Sequence, residues 1–191
     1  LLNSDAQPFH PLRLCKEIRE FLDRGAIVSV DGNEILHFGR QSIPTNVPGH
    51  RLNSGVTGTM GVGLPYGIGA QLAKPDAQVL VLHGDGSMGQ NAMEIDTAVR
   101  HNLPVVTVIS NNAGWTARTP GQRKPGRELG FTAYHKMAES LGAYGEEVTD
   151  PAEIKPALDR AYSSGKAAVI NVIVEPTAAG VSRAWGGSRM E

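Results

Sequence analysis

The chain has 191 residues, with 18 Lys and Arg against 19 Asp and Glu and a formal net charge of −1, a balance that argues against a nucleic-acid binder working through a basic surface. With 40% hydrophobic and 19% charged residues it can build an apolar core. A single cysteine, Cys15, excludes an internal disulfide, and without a signal peptide or an apolar run of roughly 18 residues a soluble chain in the reducing cytoplasm, away from membranes, is expected.

In chain order, residues 1–9 read as a linker; the opening Leu1-Leu2-Asn3 lacks an initiator Met, as expected of a piece of something longer. Leu14, Ile18, Phe21 and Leu22 recur at helical spacing, so 11–24 reads as an amphipathic helix with Pro11 in its first turn and Gly25 as its stop. A first strand follows at Ala26–Val30 and runs into Asp31-Gly32. Further apolar runs lie at Gln78–His83, ending in Gly84-Asp85-Gly86, at Pro104–Ser110, ending in Asn111-Asn112, and at Ala167–Val174. Helical patterns cover about 60–73, 89–101, 131–141 and 151–164. Continuous β-branched runs alternating with helices predict an α/β, doubly wound, mostly parallel sheet with helices on both faces. Residues 113–130 read as a loop. The ordered domain is expected over 10–175, and 176–191 as a C-terminal tail that is either a frayed end or a lid over the site.

Ligands of such sheets bind outside the carboxyl ends of the strands. There, Asp85 and Asn112 offer hard oxygen donors suited to Mg²⁺ with phosphate oxygens. Gly86 and Ser87, opening the next helix, offer backbone N–H groups to a phosphate. A lone Gly-Asp-Gly is an ordinary turn. Paired with Asn-Asn after the next apolar strand, 27 positions after Asp85, it resembles the diphosphate-binding domain of thiamine diphosphate (ThDP) enzymes. The resemblance implies ThDP and Mg²⁺ as cofactors, with Asp85, Asn112 and the Gly114 carbonyl as metal ligands. It also implies that Gly84, Gly86, Ser87 and Asn112 hold the diphosphate.

A second segment, Gly58-Thr59-Met60-Gly61-Val62-Gly63-Leu64-Pro65, is similar to the family's stretch that places an apolar side chain under the cofactor. There Met60 would hold ThDP bent and the Gly58 carbonyl would accept from its amino group. The plainer reading of the same residues is a glycine-rich helix start with Met60 in the core. A Rossmann fingerprint at Gly61, Gly63 and Gly67 would need a strand directly before the first glycine, and 51–58 makes a poor one.

Within the family, Asp31-Gly32-Asn33 through Gly39-Arg40 is similar in spacing to 2-hydroxyacyl-CoA lyases and oxalyl-CoA decarboxylases, which adds Gly32 and Asn33 to the expected cofactor contacts. Acetolactate synthase resembles Gly61–Pro65 and Gly84–Ser87 equally well. The resemblance therefore implies a ThDP-dependent lyase cleaving 2-hydroxyacyl-CoA to a ketone or aldehyde and formyl-CoA. The alternative is an acetolactate synthase-like 2-keto acid decarboxylase or carboligase.

No segment resembles the family's pyrimidine-binding domain, whose glutamate activates the cofactor. The expected partners are therefore N-terminal pyrimidine-binding and middle domains or a subunit carrying them, in a homodimer or homotetramer, with a small-molecule substrate, an acyl-CoA on the first reading. Trp115 and Thr116 are placed to touch diphosphate or substrate, with packing as the default. Arg118, Arg123, Lys124 and Arg127 read as a solvated loop or as a clamp on an anionic substrate; Arg183, Trp185 and Arg189 belong to the tail. His83 and His101 read as structural, His37 as within reach of the site, and Cys15 as a thiol remote from every motif.

Overall fold

The computed structural model describes residues 1–122 and 124–179. These residues form α1 (Pro11–Phe21), β1 (Ile27–Asp31), α2 (Glu34–Ser42), β2 (Arg51–Leu52), α3 (Gly63–Ala73) and β3 (Val79–Gly84). They continue through α4 (Asp85–Asn91), α5 (Glu94–Arg100), β4 (Val106–Asn111), α6 (Tyr134–Ser140), β5 (Tyr144–Val148), α7 (Ile154–Ser163) and β6 (Ala168–Ile173). Each of the four expected strands is present within a residue or two. Three elements escaped the sequence pattern: α2, and the edge strands β2 and β5. The expected helix 89–101 is two helices that start earlier, at Asp85, and break at Ala92-Met93.

The six strands make one sheet, ordered β2-β1-β3-β4-β6-β5, and every pairing in it is parallel. Parallel central strands are covered on both faces, which is why they read as unbroken apolar runs. Alternation along each strand splits the core in two. Val28, Val30, Leu80, Leu82, Val106 and Val108 face α1, α2 and α7. Ile27, Val79, Val81, Ile109 and Val169 face α3 to α6. Burying each such aliphatic side chain contributes about 1.5–3 kcal/mol. The register runs straight across the sheet, pairing Asp31 with His83, His83 with Ile109 and Ile109 with Asn171, so three buried polar side chains, interrupted by Ile109, share one row near the carboxyl edge.

Helix α3 lies close to the sheet because Gly67 faces Val81; a Cβ there would stand 2.3 Å from Val81 Cγ2. Its outer face is apolar too, with Tyr66 and Leu72 exposed. From β1 the chain crosses to β2 on one side and returns through α3 to β3 on the other. Topology thereby opens a crevice at the carboxyl ends of β1 and β3. Phe9 is buried in the core and bridges Val174. Among the described residues no helix is long and apolar enough to cross a membrane. Cys15 is fully buried in α1, and burial pushes its thiol up to about 12, which makes it a core side chain without thiolate reactivity.

Candidate functional site

At the crevice, β3 ends in Gly84 and α4 begins at once with Asp85, which is 2% exposed. Its carboxylate is fixed by two backbone donors: Gly86 N–H to Oδ1 at 2.9 Å and Gly114 N–H to Oδ2 at 2.8 Å. Tyr134 donates to the Asp85 carbonyl at 3.0 Å from the α6 side. No Lys or Arg pairs with the carboxylate among the described residues, and burial pushes it up to about 6 against the pull of the amides. Asn112 and Gly114 arrive from the turn after β4. That turn is shaped by Ala113, which has φ of 59°, and by Asn111, whose Oδ1 accepts from Ala113 N at 3.1 Å. Asn33, Gly84, Asp85, Ser110, Asn112 and Gly114 enclose a cavity of about 30 Å³, with Ala178 in its wall. A single guest of water size needs about 10–15 Å³. The space suits one ion and its water, and is too small for a diphosphate.

Beneath it sits a second buried group. His83 Nδ1 is 3.0 Å from Ser87 Oγ and 3.7 Å from Asp31 Oδ2. Ser87 Oγ lies 3.0 Å from the carbonyls of both Asp31 and Gly84. With the serine proton on a carbonyl, the His83 proton lies on Nδ1, and its buried Nε2 is without a partner among the described residues. Burial pushes His83 down to about 3, so it is neutral at physiological pH. The Asp31 carboxylate accepts from Gly63 N at 2.8 Å. Burial raises its pKa, and the amides of Gly63, Gly61, Gly32 and Val62 oppose the rise.

The chain matches the family model described as the thiamine pyrophosphate enzyme C-terminal TPP binding domain over residues 36–172. The chain belongs to that family. It is 39% identical to an acetolactate synthase large subunit of Mycobacterium tuberculosis, over 93% of this chain and 34% of that protein. It is 36% identical to a 2-hydroxyacyl-CoA lyase of Oryza sativa, over 93% of this chain and 33% of the other. A ThDP-dependent 4-hydroxybenzoylformate decarboxylase of Rhodococcus jostii superposes with a TM-score of 0.82 at 25% identity, covering 90% of this chain and 34% of that one. The chain thus spans about a third of the length of the relatives it matches.

For a TPP-binding domain the cavity has the right donors. One buried carboxylate, one amide oxygen and one backbone carbonyl are hard ligands that leave positions for phosphate oxygens and water, as Mg²⁺ requires. The described residues contain no cluster of three or more His, Cys, Asp or Glu side chains that would suit a softer metal.

Of the residues expected from sequence, the structure brings Asn33, Gly84, Asp85, Asn112 and Gly114 to one cavity. Gly32, with φ of +134°, lets the β1 turn approach β3; a Cβ there would stand 3.2 Å from Gly84 N. Gly86 packs under the Trp115 ring, where a Cβ would lie 3.1 Å from the indole. The Ser87 hydroxyl is committed to Asp31 and Gly84, which leaves only its backbone for a phosphate. Thr116 lines a separate cavity of about 460 Å³ with Arg118, Lys124, Arg127 and Thr177. Gly58 and Met60 stand apart from the metal cradle, on the turn before α3. That turn is not a Rossmann loop, because β2 ends at Leu52 and a 3₁₀ turn, Gly55–Thr57, intervenes. Arg123 and the tail residues Arg183, Trp185 and Arg189 lie outside the described residues. Sequence reasoning missed Asp31, Asn91 and Tyr134. For Asp31 a signal existed: a carboxylate ends an otherwise apolar strand.

Proposed function

We propose that this chain is the cofactor-binding part of a ThDP- and Mg²⁺-dependent carbon–carbon lyase that cleaves 2-hydroxyacyl-CoA to a ketone or aldehyde and formyl-CoA, reversibly, in the cytoplasm. Asp85, Asn112 and the Gly114 carbonyl hold Mg²⁺, and the amides at the start of α4 hold the diphosphate. Met60 supports the bent cofactor, and the Gly58 carbonyl accepts from its amino group. ThDP, when bound, supplies the electron sink for the carbanion left by bond cleavage. The residues of this chain orient it and keep water from the reacting carbon.

The CoA thioester is supported by the 460 Å³ cavity that Thr116 lines. It is within the usual size of a ligand site, and Arg118, Lys124 and Arg127 line it. The Arg118 and Arg127 guanidinium groups donate to neutral oxygens, Ala113 O at 3.2 Å and Thr116 Oγ1 at 3.1 Å. None of the three forms an ion pair among the described residues, so their charge is available to phosphates of a long anionic substrate. The second reading, acetolactate synthase-like carboligation of 2-keto acids, is favoured by the 39% identity to the mycobacterial protein. Steady-state assays with a 2-hydroxyacyl-CoA and with pyruvate separate the two. Replacing both Arg118 and Arg127 with Ala should raise KM for the thioester about tenfold or more with little change in kcat. Turnover of pyruvate alone would establish the second reading.

The apolar outer face of α3, with Tyr66 at 42% and Leu72 at 61% exposure, and the neighbouring Val56 at 97% and Met93 at 63%, fits a surface covered by a pyrimidine-binding domain in a homodimer or homotetramer. This chain alone should bind Mg-ThDP weakly and turn over nothing. Adding the pyrimidine-binding part should restore activity, and turnover by the isolated chain would refute the shared site.

A further inference from the structure

The turn that carries Met60 has little mass of its own to hold it. Gly58 has φ of +65° and Gly61 φ of +88°, conformations that glycine adopts without strain, and Val56 in the same loop is 97% exposed. What fixes the turn lies on its C-terminal side. Gly63 N–H donates to Asp31 Oδ2 at 2.8 Å, while Asn91 Nδ2, at the end of α4, donates to the Gly61 carbonyl at 2.6 Å. The approach of Gly63 to Asp31 is so close that a Cβ would stand 2.6 Å from Asp31 Cβ.

Asp31 itself is 3% exposed and no Lys or Arg pairs with it among the described residues. A carboxylate placed there costs desolvation that an amide or apolar side chain would avoid. In return it accepts the Gly63 N–H at 2.8 Å, and such charge-assisted bonds are shorter and stronger than neutral ones.

We propose that Asp31 is a positioning residue: its carboxylate on the Gly63 N–H, with Asn91 on the Gly61 carbonyl at the opposite flank, clamps the peptide units that follow Met60 and so sets where Met60 meets the bound cofactor. The clamp ties the end of β1 to the start of α3, so the cofactor-bending turn is registered against the same strand edge that carries the metal cradle. The inference rests on the ThDP reading of Met60.

The test uses the enzyme assembled from this chain and its pyrimidine-binding part, with Asp31→Asn, Asn91→Ala and wild type compared. Before cofactor is added, backbone amide exchange at Gly61, Val62 and Gly63 should quicken about 10- to 100-fold in Asp31→Asn, with β3 and β4 amides unchanged. With Mg-ThDP bound, exchange of the cofactor's C2 proton should slow about tenfold, while the Kd for Mg-ThDP changes less than about threefold because Asp85 and Asn112 are untouched. Asn91→Ala, which removes an exposed side chain, should move both exchange rates in the same direction and serves if Asp31→Asn does not fold. Unchanged amide exchange overturns the proposal. So does a loosened turn with wild-type C2 exchange, or a general loss of protection throughout the sheet. If the wild type fails to bind ThDP with Mg²⁺, the functional reading falls and this one with it. If the wild type binds and the variants match it, only the clamp falls.

Discussion

Replacing Asp85 with Asn should lower the Mg²⁺-dependent affinity for ThDP at least about 100-fold and, in the metal-free protein, remove a pH dependence of stability. The first effect follows from chemistry: the variant loses the buried carboxylate proposed to hold the metal, and altering even groups that merely orient ligands costs 10- to 100-fold in metal affinity. The second follows from linkage. Burial raises the Asp85 carboxyl from the ordinary 3.8 to about 6 in the folded chain, so the folded state binds its proton more tightly than the unfolded state does. Its contribution is fully present below about pH 4 and is lost as pH rises through 6. Relative to Asp85→Asn, the metal-free wild type should therefore lose about 1–3 kcal/mol between pH 4 and pH 8. Mg²⁺ requires the ionised form, so wild-type affinity should rise about tenfold per pH unit up to pH 6 and level off above it. Denaturant titrations across pH and calorimetry with and without Mg²⁺ measure both. Equal pH dependence in the two proteins would mean that the carboxylate is not held as the fold shows it.

The sites that sequence made legible share one property: chemistry-bearing residues stand where an apolar strand stops. Asp85 and Asn112 each follow an apolar strand, Val79–Gly84 and Val106–Asn111, so the pattern fixes both their secondary structure and their edge of the sheet. What stayed hidden depends on topology. Asp31 and Gly63 meet only because α3 returns the chain to the far side of β1, and nothing in either segment names the other as its partner. Edge strand β5, Tyr144-Gly145-Glu146-Glu147-Val148, is half-buried over its first three residues, exposed at Glu147 and buried only at Val148, and carries no apolar run to betray it. Helix α2 turns its apolar side inward with only Ile35 and Phe38 as large buried residues, too few for periodicity to show. The break between α4 and α5 lies at Ala92-Met93, where neither residue is a helix breaker. The sequence offers the Ser87 backbone N–H to a phosphate but gives no hint of its hydroxyl's partner, which is the carbonyl at the end of β1, met only because β1 and β3 are neighbours.

The pair Gly67→Ala and Gly69→Ala should shift stability in opposite directions although the two positions stand two residues apart on α3. Either substitution removes a similar amount of unfolded-state freedom and favours the helix by about 0.5–1 kcal/mol. At Gly69 nothing lies within 4 Å of the new Cβ, so that gain should appear whole. At Gly67 the Cβ would stand 2.3 Å from Val81 Cγ2 and 3.3 Å from Val105 Cγ1. Both are fully buried β-branched side chains, Val81 within β3 and Val105 directly before β4, and unable to swing aside. The helix must lift instead, and overpacking of this kind costs about 1–3 kcal/mol, or several degrees at roughly 2–4 °C per kcal/mol for a domain of this size. Because the first residue of α3 is the one bonded to Asp31, lifting the helix also displaces the turn before it, while Asp85 stays at the start of α4, directly after β3. Gly67→Ala should therefore reduce turnover more than it reduces Mg-ThDP affinity, a split that thermal melts, calorimetry and steady-state kinetics on the same preparations would show. Equal melting temperatures for the two variants would mean that α3 does not rest on Val81 as closely as the fold requires.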